Sequence, residues 1–176
     1  MTSLFPHPPY AEDQPYARTI LYLHTFRAGA MTGSFIPIFT APIAVYLSSR
    51  NAAPRNPNPR TPLSVQLLQR HLVHSSRGLV AGGIFGLVAT AGRMYGREEI
   101  EWKDRSWRLL QNRGQEVTDL VAFGGAGLGA VVGGMVARSR VGGIGGVRAV
   151  LGGTGVGMSF GVLYMMVTFA RGRGPA

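Results

Sequence analysis

Glycine recurs at every fourth residue inside the apolar runs of this chain, and that spacing limits the fold more than any other feature. The first run carries Gly29 and Gly33. The second carries Gly78, Gly82 and Gly86, the third Gly125, Gly129 and Gly133, and the fourth Gly153, Gly157 and Gly161. Residues i and i+4 lie on one face of a helix. A glycine row on that face lets a second helix backbone come close, and close van der Waals contact drives association where the solvent is itself apolar. Glycine is common in membrane helices generally. One row in each of four runs points instead to helices built to pack against helices.

The runs have membrane dimensions. Ala28 to Leu47 is free of charge over 20 residues, with Pro37 and Pro42 inside it. A hydrocarbon core of about 30 Å needs about 20 residues of helix, and neighbours satisfy the groups a proline frees. Gly78 to Gly92 has 15 uncharged residues between Arg77 and Arg93, short for a span unless those arginines snorkel. Leu120 to Ala137 has 18 and Ala149 to Ala170 has 22. The expected fold is an all-α membrane protein of about four Gly-rich transmembrane helices plus an amphipathic surface helix. Residues 1–27 read as an N-terminal extended tail, of which the polar, Pro-rich residues 1–17 lie on a partner's surface. Residues 28–92 read as a first helical hairpin with a basic Pro-rich loop. Residues 93–119 form a charged connector, and residues 120–176 a second hairpin with a basic C-tail.

The connector reads as a surface helix over 97–113. Glu98, Glu99 and Glu101 come before Arg105, Arg108 and Arg113, an order that complements the helix dipole. Glu99–Lys103, Glu101–Arg105 and Asp104–Arg108 stand at i,i+4, and Gly114 is the expected stop. Ile100, Trp107 and Leu110 share a face that Trp102 and Leu109 widen. Trp102 and Trp107 are interface candidates, either at the membrane surface or against another protein. Leu63 to His74 reads as a short surface helix ahead of the second span.

Charge speaks to topology and partners. The net charge is +10, and Lys103 is the only lysine beside 17 arginines. Loops 48–77 and 138–148 carry +5 and +3, whereas the N-terminal segment to Arg27 and the 93–119 connector are neutral. The positive-inside rule places the basic loops together on the cytoplasm-like side. Arg50, Arg77, Arg93, Arg138, Arg140 and Arg148 are the candidate lipid-headgroup residues, with phospholipid, cardiolipin foremost, as the expected ligand. Arginines at the ends of apolar runs suit lipid better than nucleic acid, so no nucleic-acid partner is expected.

Motifs for chemistry are lacking. No cysteine is present for disulfides, zinc or iron–sulfur ligation. No G-x-x-x-x-G-K-[ST] occurs, and the glycines after Gly153 do not complete a dinucleotide fingerprint. His71 and His74 stand at i,i+3 with no acid near them in sequence to complete a metal site. Asp119 sits at the mouth of the third run, where an ionisable group is either functional or a helix-start residue. No catalytic, cofactor or metal residues are assigned, and no enzyme activity is expected.

Two polar segments carry a family likeness. LFPHPPYAEDQPYAR near the N-terminus and REEIEWKDRSWRLLQNRGQEVTDL at 97–120, together with the Gly-rich runs, resemble the NUXM-type accessory subunit of fungal respiratory complex I. The resemblance implies the mitochondrial inner membrane, core and accessory membrane-arm subunits of complex I as partners, and an assembly or stabilising role without redox centres. The matrix would then face the basic loops and the intermembrane space both termini. The N-terminus is unlike a cleaved presequence, which predicts internal targeting information. A looser similarity, in topology and glycine packing alone, is to the four-span Tim17/Tim22/Tim23 group. It implies a subunit of a protein translocase or channel.

Overall fold

A computed structural model describes residues 4–51, 62–139 and 143–172. Among the described residues the regular elements are six α-helices and a short 3-10 turn at Ala11–Asp13, with no strand. The helices are α1 (Ala17–Phe35), α2 (Pro37–Asn51), α3 (Leu63–Arg93), α4 (Glu99–Gln111), α5 (Arg113–Ser139) and α6 (Gly146–Ala170). Four helical stretches, Ala17–Arg50, Leu63–Arg93, Arg113–Ser139 and Gly146–Ala170, are long and apolar enough to cross a membrane. They fit a transmembrane protein.

The first stretch divides into two helices where its sequence requires it. Pro37 has no N–H to give to the previous turn, so α1 ends at Phe35 and α2 begins on the proline. Ile36 keeps helical angles and still donates to the Thr32 carbonyl at 3.4 Å. A hydrogen bond of 3.2 Å between the Thr40 hydroxyl and His74 Nδ1 then ties α2 to α3.

The second stretch differs from its sequence reading. The separate short helix at Leu63–His74 and the span at Gly78–Gly92 form one helix of 31 residues, about 46 Å long at 1.5 Å per residue. No glycine or proline lies between Leu63 and Arg77 to end a helix, so the polar sequence there stays helical. Arg77 therefore stands mid-helix and does not flank a short span.

The connector is also reorganised. α4 ends at Gln111, and α5 runs straight through Gly114, the expected stop. Asn112 caps α5 instead: its Oδ1 accepts the Gln115 N–H at 3.1 Å. At the start of α4 the Glu98 N–H donates to the Glu101 side chain at 3.3 Å. Of the three expected i,i+4 pairs, Asp104–Arg108 forms at 3.0 Å. Glu99 instead meets Arg18 of α1 at 2.8 Å, Glu101 meets Arg97 at 3.1 Å, and Lys103 donates to the Glu12 carbonyl at 2.7 Å. Glu99 and Lys103 lie on the face of α4 that packs on α1 and the tail, where tertiary partners outcompete helical neighbours, whereas Glu101 pairs one turn back with Arg97.

The N-terminal tail folds onto this chain. Trp107 Nε1 donates to the Pro8 carbonyl at 2.9 Å and its ring stacks on His7 with centroids 5.4 Å apart. The buried Gln14 donates to the Pro6 and Pro15 carbonyls, each at 3.0 Å. Trp102 is buried beside Ala17 and Met94, with the Arg18 guanidinium 5.4 Å from its ring centre. Both tryptophans are thus engaged by the tail and α1 of this chain.

The spans form two antiparallel pairs, α1 with α3 and α5 with α6. α6 stands at the centre, since α1, α3 and α5 all pack on it. Its glycines fall on two faces. Gly153 and Gly157 face α5, while Gly152 lies against Leu72 of α3 and Gly155 against Ser75 and Ser34.

Candidate functional site

The glycine rows interlock. A Cβ added to Gly29 would overlap the Gly82 carbonyl, and one on Gly82 would overlap that of Gly29. Gly33 and Gly78 stand in the same reciprocal relation, and Gly86 faces the Thr25 carbonyl. Each added carbon in this row would lie 2.7–3.0 Å from the opposing carbonyl carbon, too close for any side chain. Where Cβ would be, the neighbour's oxygen faces the Cα hydrogen, the arrangement of a Cα–H···O contact. Gly125 with Gly157, and Gly129 with Gly153, repeat the pattern in the second pair. Gly133 meets the Ala149 carbonyl, and Gly161 faces Met31 of α1 and Ala122 of α5.

Sequence spacing missed Gly152 and Gly155, which stand three apart and off the four-residue row. A Cβ on Gly152 would lie 2.8 Å from the Leu72 carbonyl carbon, and one on Gly155 2.6 Å from Ser75 Oγ. The available signal was glycine on two faces of one run, which marks a helix with neighbours on both sides.

A buried ion pair joins the two helix pairs. Arg27 of α1 reaches Asp119 of α5, with Nε 2.6 Å from Oδ1 and both side chains almost inaccessible, at 2% and 4%. The guanidinium also donates to Gln115 Oε1 at 3.1 Å and lies 3.3 Å from His24 Nδ1. Two charges removed from water hold together only with good geometry and further hydrogen bonds, and stripping one partner is costly. Asp119 thus has a structural partner far away in sequence. Arg27 went unnoticed at the sequence level because it reads as the end of the tail.

The lipid-headgroup candidates are scattered. Arg50, Arg77, Arg93, Arg138 and Arg148 are all exposed, and Arg50 lies over the Tyr46 ring. Arg140 lies outside the described residues. Arg50 and Arg138 end α2 and α5 and Arg148 opens α6, all at the basic end of the bundle, whereas Arg93 ends α3 at the opposite end. Among the described residues no cluster of three His, Asp or Glu side chains could hold a metal ion. His74 bonds Thr40, as above.

One groove is large. It follows the outer edge of the α1–α3 contact, has a volume of about 770 Å³, and is bounded at one end by Ile36, Pro37 and Thr40. Its floor is Gly29, Gly33, Gly78 and Gly82, and His74 and Arg77 stand at the α2 end. A smaller groove of about 330 Å³ follows the α5–α6 contact between Leu128 and Phe160.

A protein-family model described as "Protein of unknown function (DUF1757)" matches residues 11–168. The chain belongs to the DUF1757 family. No curated protein and no solved structure matches it. In this DUF1757 chain the matched range takes in both glycine contacts, the Arg27–Asp119 pair and all of α4. The family is therefore defined over the whole bundle.

Proposed function

We propose that this DUF1757 chain is a non-catalytic accessory subunit of mitochondrial complex I, supporting assembly or stability of its membrane arm. The observation that carries the reading is that the two segments resembling the NUXM-type subunit fold onto one another. Pro8 and Glu12 of the first bond Trp107 and Lys103 of the second, so the likeness belongs to one structural unit. The proposed setting is the inner membrane, with both termini in the intermembrane space and the basic loops in the matrix. Core and accessory membrane-arm subunits are the proposed partners, and anionic phospholipid the proposed ligand of the exposed arginines. Exposed apolar side chains such as Leu120, Leu128 and Met135 on α5 suit lipid or neighbouring subunits. No residue is proposed to react with a substrate.

The test is a native gel of digitonin-solubilised mitochondria, probed for this chain beside an in-gel NADH dehydrogenase stain. Co-migration with the stained megadalton band supports the reading. Migration in a smaller, unstained assembly overturns it and favours the second reading, a Tim17-like subunit of an inner-membrane translocase. A specific feature favours that alternative: α3 carries Arg70, His71, His74 and Arg77 in a segment packed beside apolar α6. Conductance from the purified chain in a planar bilayer, absent from an empty control, is its own test.

A further inference from the structure

The groove along α1 and α3 has the shape and charge of a site for one phospholipid. Its depth follows from the helix registers. Leu72 lies against Gly152 and Ser75 against Gly155. Because α3 and α6 run in the same direction, Arg77 is level with Gly157, which lies against Gly125 near the centre of α5. Arg70, His74 and Arg77, at i, i+4 and i+7, share one face of α3 at the level of uncharged stretches of α5 and α6.

An exposed guanidinium at that depth is costly without an anion, and this chain offers none nearby. No acidic residue occurs between Asp13 and Glu98, and none follows Asp119. The acids that exist sit in the tail, in α4 and its flanks, or at the start of α5, where Glu99 and Asp119 are already engaged by Arg18 and Arg27. No carboxylate of this chain lies near Arg77 in sequence, so an anionic partner there comes from outside the chain.

The groove is long enough for an acyl chain. Its lining runs along α3 from His74 to Ala89, about 22 Å at 1.5 Å per residue. The groove is open along one side and wide enough to take an extended hydrocarbon chain. Its glycine floor presents backbone without side chains, and α6 packs on other faces of α1 and α3.

We infer that the α1–α2–α3 groove binds one anionic phospholipid, its phosphate at Arg77 and an acyl chain on the Gly29–Gly33–Gly78–Gly82 floor. The inference rests on the membrane reading of the four helices, and it is independent of membership in complex I. The local bilayer thins or dips at Arg77 to bring a phosphate to that depth.

The test uses the purified full chain, reconstituted in equal parts phosphatidylcholine and phosphatidylglycerol, extracted in mild detergent and analysed by native mass spectrometry. Wild type is expected to keep one phosphatidylglycerol. Arg77→Gln should lower its retention at least about fivefold. Ala81→Phe, which fills the groove without entering the glycine contact, should remove the bound phosphatidylglycerol. Circular dichroism and melting of each variant check that the helices persist. Wild type without bound lipid overturns the site, as does retention unchanged in both folded variants. A photoreactive residue at position 81 should label lipid; labelling of a protein in mitochondria would show a subunit in the groove and overturn the lipid assignment. Because the binding assay uses the isolated chain, it can fail while the native gel succeeds, and the reverse.

Discussion

The two glycine-paired hairpins use one contact in two settings. In α5–α6 the helices follow each other directly, and Gly125, Gly129, Gly153 and Gly157 pack with apolar residues along both flanks. In α1–α3 the same interlock of Gly29, Gly33, Gly78 and Gly82 is interrupted below Pro37, and the partner helix becomes polar beyond Gly78. A hydroxyl pair, Thr90 to Thr25 at 2.6 Å, closes its far end. Glycine spacing thus sets how close two helices come, while the sequence beside the row sets what the contact faces. α6 has neighbours on two sides; α1 and α3 leave an open edge.

Replacing Gly129 with Leu should break the second hairpin, because no side chain fits against the Gly153 carbonyl. The expected loss is at least about 3 kcal/mol, read as a collapse of the detergent melting transition and less chain in any assembly. Gly33→Leu should do similar damage to the first hairpin. If the open edge lets α1 shift aside, that loss will be smaller than for Gly129→Leu, which sharpens the comparison. Equal stability of either variant with wild type would break it.

The bridge between the hairpins comes next. Asp119→Asn leaves Arg27 buried beside a neutral amide and should cost about 3–5 kcal/mol. Replacing both residues, as Arg27→Met with Asp119→Leu, should restore stability to within about 1 kcal/mol of wild type, measured by the same melts. A double variant as unstable as the single one would mean that the charges do more than satisfy each other.

Smaller effects follow outside the pairs. Trp107→Ala removes the bond to Pro8 and the stack on His7, a local loss of about 1–2 kcal/mol. It should speed proteolysis within residues 4–16 and leave the main melting transition in place. Gly127 faces open space on α5, so Gly127→Ala should change stability by no more than about 1 kcal/mol, in the favourable direction. A large loss there in the isolated chain would mean that the helix faces are assigned wrongly.

Much of this was legible in the sequence, and the failures share a cause. Helices of membrane length and the glycine rows follow from local pattern, so α5 and α6 lie close to their runs. Which rows pair does not follow, because Gly29–Gly33 suits any of the other three equally well. The polar half of α3 looked like a surface helix because its arginines and histidines outweigh its helical continuity; burial against α2 and α6 is a tertiary fact. Arg27 and Asp119 lie in different hairpins, and only the fold brings them together. Gly114 looked like a stop, yet Asn112 supplies a side-chain cap that starts the next helix at once. The tail's carbonyls at Pro8 and Glu12 are backbone acceptors, which no residue pattern reveals.

The most direct test of the paired-helix account exploits the lack of cysteine in the chain. Thr25 and Thr90 touch through their hydroxyls, so the Thr25→Cys, Thr90→Cys double variant should form a disulfide on mild oxidation in membranes. Thr25→Cys with Ser75→Cys, placed about 22 Å farther along α3, should not. Efficient closure of the first pair alone is the predicted result. No closure of the first pair, or closure of the second, would contradict the antiparallel register on which the glycine contacts depend.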